Sequence, residues 1–182
     1  MLGLLGFYDE FQGFAGQSNG SICDAMQPVG EADEAEIVAY LDAGHFLIDV
    51  MEAGNDVISG SLHRHSVGCS SLLSDGSWVW RKDFPHYLET YHVALPGEFV
   101  EDVRKANYRM PSLLVAEFAP KCDETLPVIG WSSAVPWQSE SAVIQPFSRA
   151  VMTKAEFEAA QLAREQDRPT GKWSKRRKPR RV

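Results

Sequence analysis

Basic residues are missing from the first third of this sequence. No Lys or Arg stands between Met1 and His63, where there are 11 Asp and Glu, and the first cation is Arg64. Asymmetry of this size points to a charged partner or to masking within the chain. Cysteine is scarce: Cys23, Cys69 and Cys122 are odd in number, far apart and without a C-x-x-C pair. That excludes a disulfide framework and a zinc knuckle and leaves three reduced thiols. No apolar run reaches the ~18 residues of a membrane span. Gly3, Gly6 and Asp9 break the opening apolar run, which no Lys or Arg precedes, too early for a secretory segment. The expectation is a cytoplasmic protein without membrane contact. H-E-x-x-H, the Walker loop and G-x-G-x-x-G are all absent, and Pro120-Lys-Cys122 lacks the second cysteine of a zinc deaminase, so no cofactor and no metal is expected.

The rest of the chain balances differently. Residues 64–170 hold 11 basic and 14 acidic residues, and Gly171–Val182 holds 7 basic residues and no acid, which gives the chain its net charge of −7. With 182 residues, 44% hydrophobic and 24% charged, one packed domain is the default. The reading is a single α+β domain over 1–168, a small and mainly antiparallel sheet packed with about four helices, followed by a disordered basic tail over 169–182.

Local signals place the elements. Phe7, Phe11 and Phe14 share a helical face. Asp33 with Glu36 forms a capping box ahead of Ile37, Val38 and Leu41, and Gly44 offers a left-handed stop. His45–Met51 alternates as a strand, with Asp49 among apolar neighbours, and Asp56–Ser59 reads as a second short strand. Asp75-Gly76 predicts a two-residue hairpin turn that sets Leu73 opposite Trp78 and Leu72 opposite Val79. Asp83 opens a helix striped by Phe84, Tyr87, Leu88, Tyr91 and Leu95, and a further helix from Pro96 buries Phe99, Val100 and Val103. Ser112–Phe118 reads as a strand, and Pro127–Trp131 and Ala142–Gln145 as short strands in a loop-rich stretch. A last helix is expected from Thr153 to Asp167.

Candidate chemistry is sparse. Gly16-Gln-Ser18-Asn-Gly20 matches a nucleophile elbow in letters but has no preceding buried strands, and so reads as a polar loop. His63, His65 and Cys69 are the densest soft ligands and supply the alternative reading, a small hydrolase or nuclease, with Asp49 as a further carboxylate. His86 and His92 lie about 120° apart on their helix, too far round to share one ion, and read with Glu89 as a solvated face. The tail residues Lys175, Arg176, Arg177, Lys178, Arg180 and Arg181 would attract phosphate, which gives a second alternative of nucleic-acid contact.

The pieces YLDAGHFLIDVMEAGNDVI, SSLLSDGSWVWRKDFPHYLETYHVALP and GEFVEDVR, within Tyr40–Arg104, resemble small bacterial proteins, some of which are encoded beside toxin genes and taken for immunity proteins. The resemblance implies a non-enzymatic inhibitor and transfers no site residues. The charge pattern then suggests that the acidic first third meets a basic toxin or nuclease through Glu31, Asp33, Glu34, Glu36 and Asp42.

Overall fold

The computed structural model describes residues 1–11, 16–131 and 141–144. Gly3–Leu5 (β1), His45–Ile48 (β2), Leu72–Ser74 (β3) and Trp78–Arg81 (β4) form one sheet in the order β1-β4-β3-β2. The β2–β3 and β3–β4 pairs are antiparallel, and β1 joins β4 in parallel. The opening residues are therefore an edge strand, and the helix expected through Phe7 and Phe11 does not form; Phe14 lies outside the described residues. Phe7 and Phe11 enter two different cores, which a shared helical face would not allow.

The hairpin forms with a different register. Leu73 pairs with Trp80 and Ser74 with Val79, two residues away from the predicted pairing, so Asp75–Trp78 lies beyond the last β3–β4 pair, with Trp78 kept in β4 by its pairing with Gly3. Asp75 is the cause. Its Oδ1 accepts hydrogen bonds from the Ser77 and Trp78 amides at 2.8 and 2.7 Å, which closes the loop on the side chain. Because side chains alternate with period two, a shift of two residues leaves the faces unchanged. Leu73, Trp78 and Trp80 still point to one layer, and Leu72 and Val79 to the other.

Five α-helices cover these faces among the described residues: Ile22–Ala25 (α1), Glu34–Asp42 (α2), Phe84–Tyr91 (α3), Gly97–Lys105 (α4) and Val115–Thr125 (α5). Ile37, Leu41, Phe84, Leu88, Phe99 and Val103 from α2, α3 and α4 pack with Leu5, Leu73 and Trp80. Phe118 and Cys122 of α5, with Leu126 and Ile129, pack with Leu2, Leu72 and Val79 on the other side. Burial on both faces explains why β3 has no exposed residue despite its serine. Gly44 is needed here for a reason other than the predicted one. Its backbone is not left-handed, but an added Cβ would collide with the Trp80 ring.

Several expectations are corrected. Only Leu113–Leu114 (β5) of the strand predicted over Ser112–Phe118 is extended, pairing antiparallel with Val143–Ile144 (β6). The rest is α5, because Val115, Phe118, Cys122 and Thr125 recur at helical spacing and all are buried, outweighing the one bond that Pro120 removes. Pro127–Trp131 is not a strand: Leu126–Ile129 is a 3₁₀ turn, closed by Gly130 in the left-handed region. Asp56–Ser59 is a turn, since Asp56 Oδ1 accepts from the Ile58 and Ser59 amides. β2 is shorter than predicted and carries a register shift between Phe46 and Ile48.

The described residues fall within one compact unit, Met1–Ser148, of the expected α+β class. The helix expected over 153–167 and the basic tail lie outside the described residues. Trp80 is fully buried where the sheet meets α2, and its Nε1 donates to Leu41 O. Trp80→Ala should cost about 3–5 kcal/mol of unfolding free energy in urea titration; a loss under about 1 kcal/mol would contradict this packing.

Candidate functional site

The acidic residues singled out in the sequence cluster around α2, but most of them already have partners. Arg104, near the end of α4, reaches back with Nε and Nη2 to the two oxygens of Asp33 at 2.9 and 2.6 Å, and Nη2 also meets Glu31 at 3.0 Å. Tyr108 OH donates to the same Asp33 carboxylate at 2.5 Å. It arrives there through Asn107 and Tyr108, both left-handed at φ 52° and 55°, a conformation that non-glycine residues adopt at some strain. Arg104 and Tyr108 hold the Asp33 carboxyl well below the usual carboxylate range. Asp33 therefore stands before α2 without capping it, and the predicted capping box is not made.

Glu34 accepts from His92 Nδ1 at 2.9 Å, and Asp42 pairs with Arg64 at 2.7 Å. Glu36 is exposed on α2 and makes no ion pair among the described residues. So four of the five proposed partner-binding carboxylates are engaged by cations or imidazoles of this same chain. The sequence did not reveal Arg104 and Tyr108 as their partners. The available signal was scarcity, because few bases in a strongly acidic unit will each find a carboxylate.

A second cluster lies where residues 56–67 strap across α3. Asp56 is buried, and its Oδ2 takes hydrogen bonds from His86 Nε2 and Tyr91 OH, both at 2.7 Å. Burial alone would raise its pKa, yet the bonds from His86, Tyr91 and the Ser59 and Ile58 amides outweigh it and hold the carboxyl well below its usual range. The Val57 amide donates to Tyr87 OH at 3.1 Å. The His63 ring lies flat on His86, with centroids 3.9 Å apart and planes 13° from parallel. His86 is thus partly buried and occupied, and does not sit on a solvated face. Glu89 meets Arg64, and His92 faces Glu34, so His86 and His92 serve separate partners as their spacing requires.

His65 is buried. Its Nε2 lies 3.3 Å from Asp42 Oδ1 without a hydrogen bond, and Arg64 occupies that carboxylate. Burial therefore dominates and pushes the His65 imidazole down to about 3. Burial also lowers His63, with the neighbouring His86 acting in the same direction.

The remaining candidates disperse. Cys69 is buried with its Sγ 3.5 Å from Glu52, and burial pushes the thiol up. Asp49 accepts from Ser71 Oγ at 3.1 Å. Neither Cys69 nor Asp49 is bonded to an imidazole in the described residues, so the arrangement offers no thiolate activated by a base. Ser18 Oγ accepts from the Gly20 amide in an exposed loop, as a polar turn does. Among the described residues no group of three or more His, Cys, Asp and Glu is placed to hold a metal ion, and no helix is long and apolar enough to cross a membrane. A shallow cavity of about 310 Å³ lies between Leu4–Gly6, Tyr8, Asn19, Ala25 and Ala94–Pro96, with no charged side chain lining it. The tail residues Lys175 to Arg181 lie outside the described residues. Compared with models of known families, with curated proteins and with solved structures, the chain matches none of them.

Two predictions follow from these environments. A buried imidazole whose folded pKa lies below its unfolded value of 6.5 stabilises the fold fully above that value and loses the contribution as pH falls towards 3. Asp56, whose folded pKa is also depressed, acts in the same direction, but only below about pH 4, where unfolded carboxylates protonate. Lowering the pH from 7.5 to 5.5 should therefore remove about 1.4 kcal/mol through His65, measurable by urea denaturation at the two pH values. A stability that rises over that interval would contradict a neutral buried His65. Arg104→Ala should return the Asp33 carboxyl towards the ordinary range in a carbon-detected NMR titration; an unmoved Asp33 would contradict the clamp.

Proposed function

We propose that this chain is a non-enzymatic binding protein for a basic protein partner, acting as an inhibitor of the immunity type. The observation that carries the reading is a charge excess that internal pairing cannot remove. Residues 1–148 hold 21 Asp and Glu against 7 Lys and Arg, a net of −14. Arg64, Arg81, Arg104 and Lys105 are each already in an ion pair. Lys82 and Lys121 donate to the backbone carbonyls of Val67 and Gly76. A field of this sign steers a cationic partner and competes for any site where that partner would bind phosphate.

The pairing around α2 changes where the contact is placed. Glu31, Asp33, Glu34 and Asp42 hold α2 to α4, α3 and the strap, so their own share of the field is partly cancelled. Glu36 and carboxylates away from α2, such as Asp9, Asp24, Glu98 and Glu117, are exposed and contribute the rest. The buried, high-pKa Cys69 gives no support to a thiol hydrolase. No enzymatic step is assigned.

The test is association with a basic protein identified by affinity capture from the native cell. Its on-rate with the full chain should fall about tenfold between 50 and 500 mM NaCl, as electrostatic steering is screened. Glu36→Lys, which leaves every ion pair around α2 in place, should slow association with little change in the off-rate. An on-rate indifferent to salt would contradict the proposal.

A further inference from the structure

The strap over α3 is fastened in a way that depends on one imidazole being neutral. His63 contributes a flat ring stacked at 3.9 Å on His86, whose own Nε2 is taken by Asp56. His63 Nδ1 faces the His65 amide at 3.3 Å, and so accepts its hydrogen. The neutral ring must then carry its proton on Nε2, which is buried and has no hydrogen-bond acceptor among the described residues. A second proton would have to go to Nδ1. It would turn that acceptor into a donor facing another N–H, and it would place a full charge against the face of His86.

We propose that residues 56–67 form an acid-released latch: protonation of His63 breaks its stack on His86 and its bond to the His65 amide, and the strap lifts from α3. The surrounding charges agree with this direction. Asp56 and Asp83 attract an imidazolium, but Asp56 already accepts four hydrogen bonds and Asp83 is bonded twice to the buried Arg81. Arg64 on the strap repels it, as does any charge on His86. Asp42 of α2 and Glu89 of α3 are held by Arg64. Tyr87 and Tyr91 face the cluster as neutral phenols, their pKa values pushed up, burial being the largest cause. Burial, with His86 and Arg64 acting in the same direction, outweighs the attraction of Asp83 and Asp56 and holds His63 below the ordinary histidine value.

The strap is also built to move. Val57, Leu62 and Val67 project into solvent, with Leu62 at 76% and Val67 at 73% exposure, which leaves Ile58, partly buried against the core, as the strap's main aliphatic anchor. The other fastenings are polar: the Asp56 bonds, the Val57 amide on Tyr87 OH, the Arg64 ion pairs and the histidine stack, and His65 and Ser66 are buried with them. Lifting it would bare the His86–Tyr87 side of α3 and the buried Asp56, which is a change of surface that pH would control.

Hydrogen exchange of the full chain, corrected for intrinsic rates and read at pH 7.5 and 5.5, tests the latch directly. The amides of residues 57–67 should open well over tenfold more at the lower pH, because the buried His65 travels with the strap and alone accounts for about tenfold, while those of β3, β4 and α4 keep their protection. His63→Phe keeps an aromatic ring on His86 but cannot take a proton, and should reduce the pH effect to the roughly tenfold part that His65 carries. Equal protection at both pH values in the native chain, or a full pH effect in His63→Phe, overturns the proposal. If the variant does not fold, an NMR titration of the native imidazoles decides. His63 must titrate below 6.5 and in step with the amide shifts of 57–67; titration at or above that value, or strap shifts that ignore it, overturns the latch.

Discussion

Shortage of cations governs this structure. With 7 Lys and Arg to 21 Asp and Glu in residues 1–148, each guanidinium that forms an ion pair ties separate parts of the chain together. Arg81 is buried at the end of β4, bonded twice to Asp83 and stacked over the Phe11 ring at 4.2 Å, so it joins the sheet, the start of α3 and the opening segment. Arg104 ties α4 to the entry of α2, and Arg64 ties the strap to α2 and α3. Carboxylates left without a cation turn to neutral donors. Asp75 uses Tyr40 and two amides, Asp56 uses Tyr91 and two amides beside His86, and Glu10 uses Ser21 Oγ and the Ile22 amide. A neutral donor satisfies the geometry of a carboxylate without cancelling its charge. The fold can therefore be well bonded and still strongly negative.

That distinction connects the fold to the proposed function. Hydrogen bonds fix the loops and the strap, and the uncancelled charge is what a cationic partner would feel at a distance. The same economy makes histidine important. With so few permanent cations, imidazoles sit at Asp56 and Glu34 where an Arg could stand. The latch on α3 and the charge excess are thus two results of one composition.

Much of the architecture was legible in local pattern. The stripe of Phe84, Tyr87 and Leu88, the Phe99, Val100 and Val103 face of α4, and the two-faced burial of Leu72 and Leu73 follow from periodicity that the packing merely completes. The errors share a physical origin. Spacing reads Asp33 as a cap on the nearest amides and Asp75 as half of a two-residue turn. Asp33 was instead claimed by residues 71 and 75 positions away in sequence, and Asp75 by a local loop bond that moved the register. Ser112–Phe118 alternates like a strand for a few residues, but its longer helical repeat only shows once Cys122 and Thr125 are counted. The site was less legible than the fold, because the pairing of Asp56 with His86, or of Glu34 with His92, joins segments that no spacing rule connects.

Negative charge that remains uncompensated after every internal pair is made underlies the proposed contact with a basic partner. Thermal unfolding of the full chain at neutral pH, followed from 20 to 500 mM NaCl, measures this most directly. Residual self-repulsion is screened by salt, so Tm should rise across the series. A Tm that falls with salt would mean that favourable pairs already neutralise the carboxylates within the chain, and would contradict a surface held ready for a basic partner.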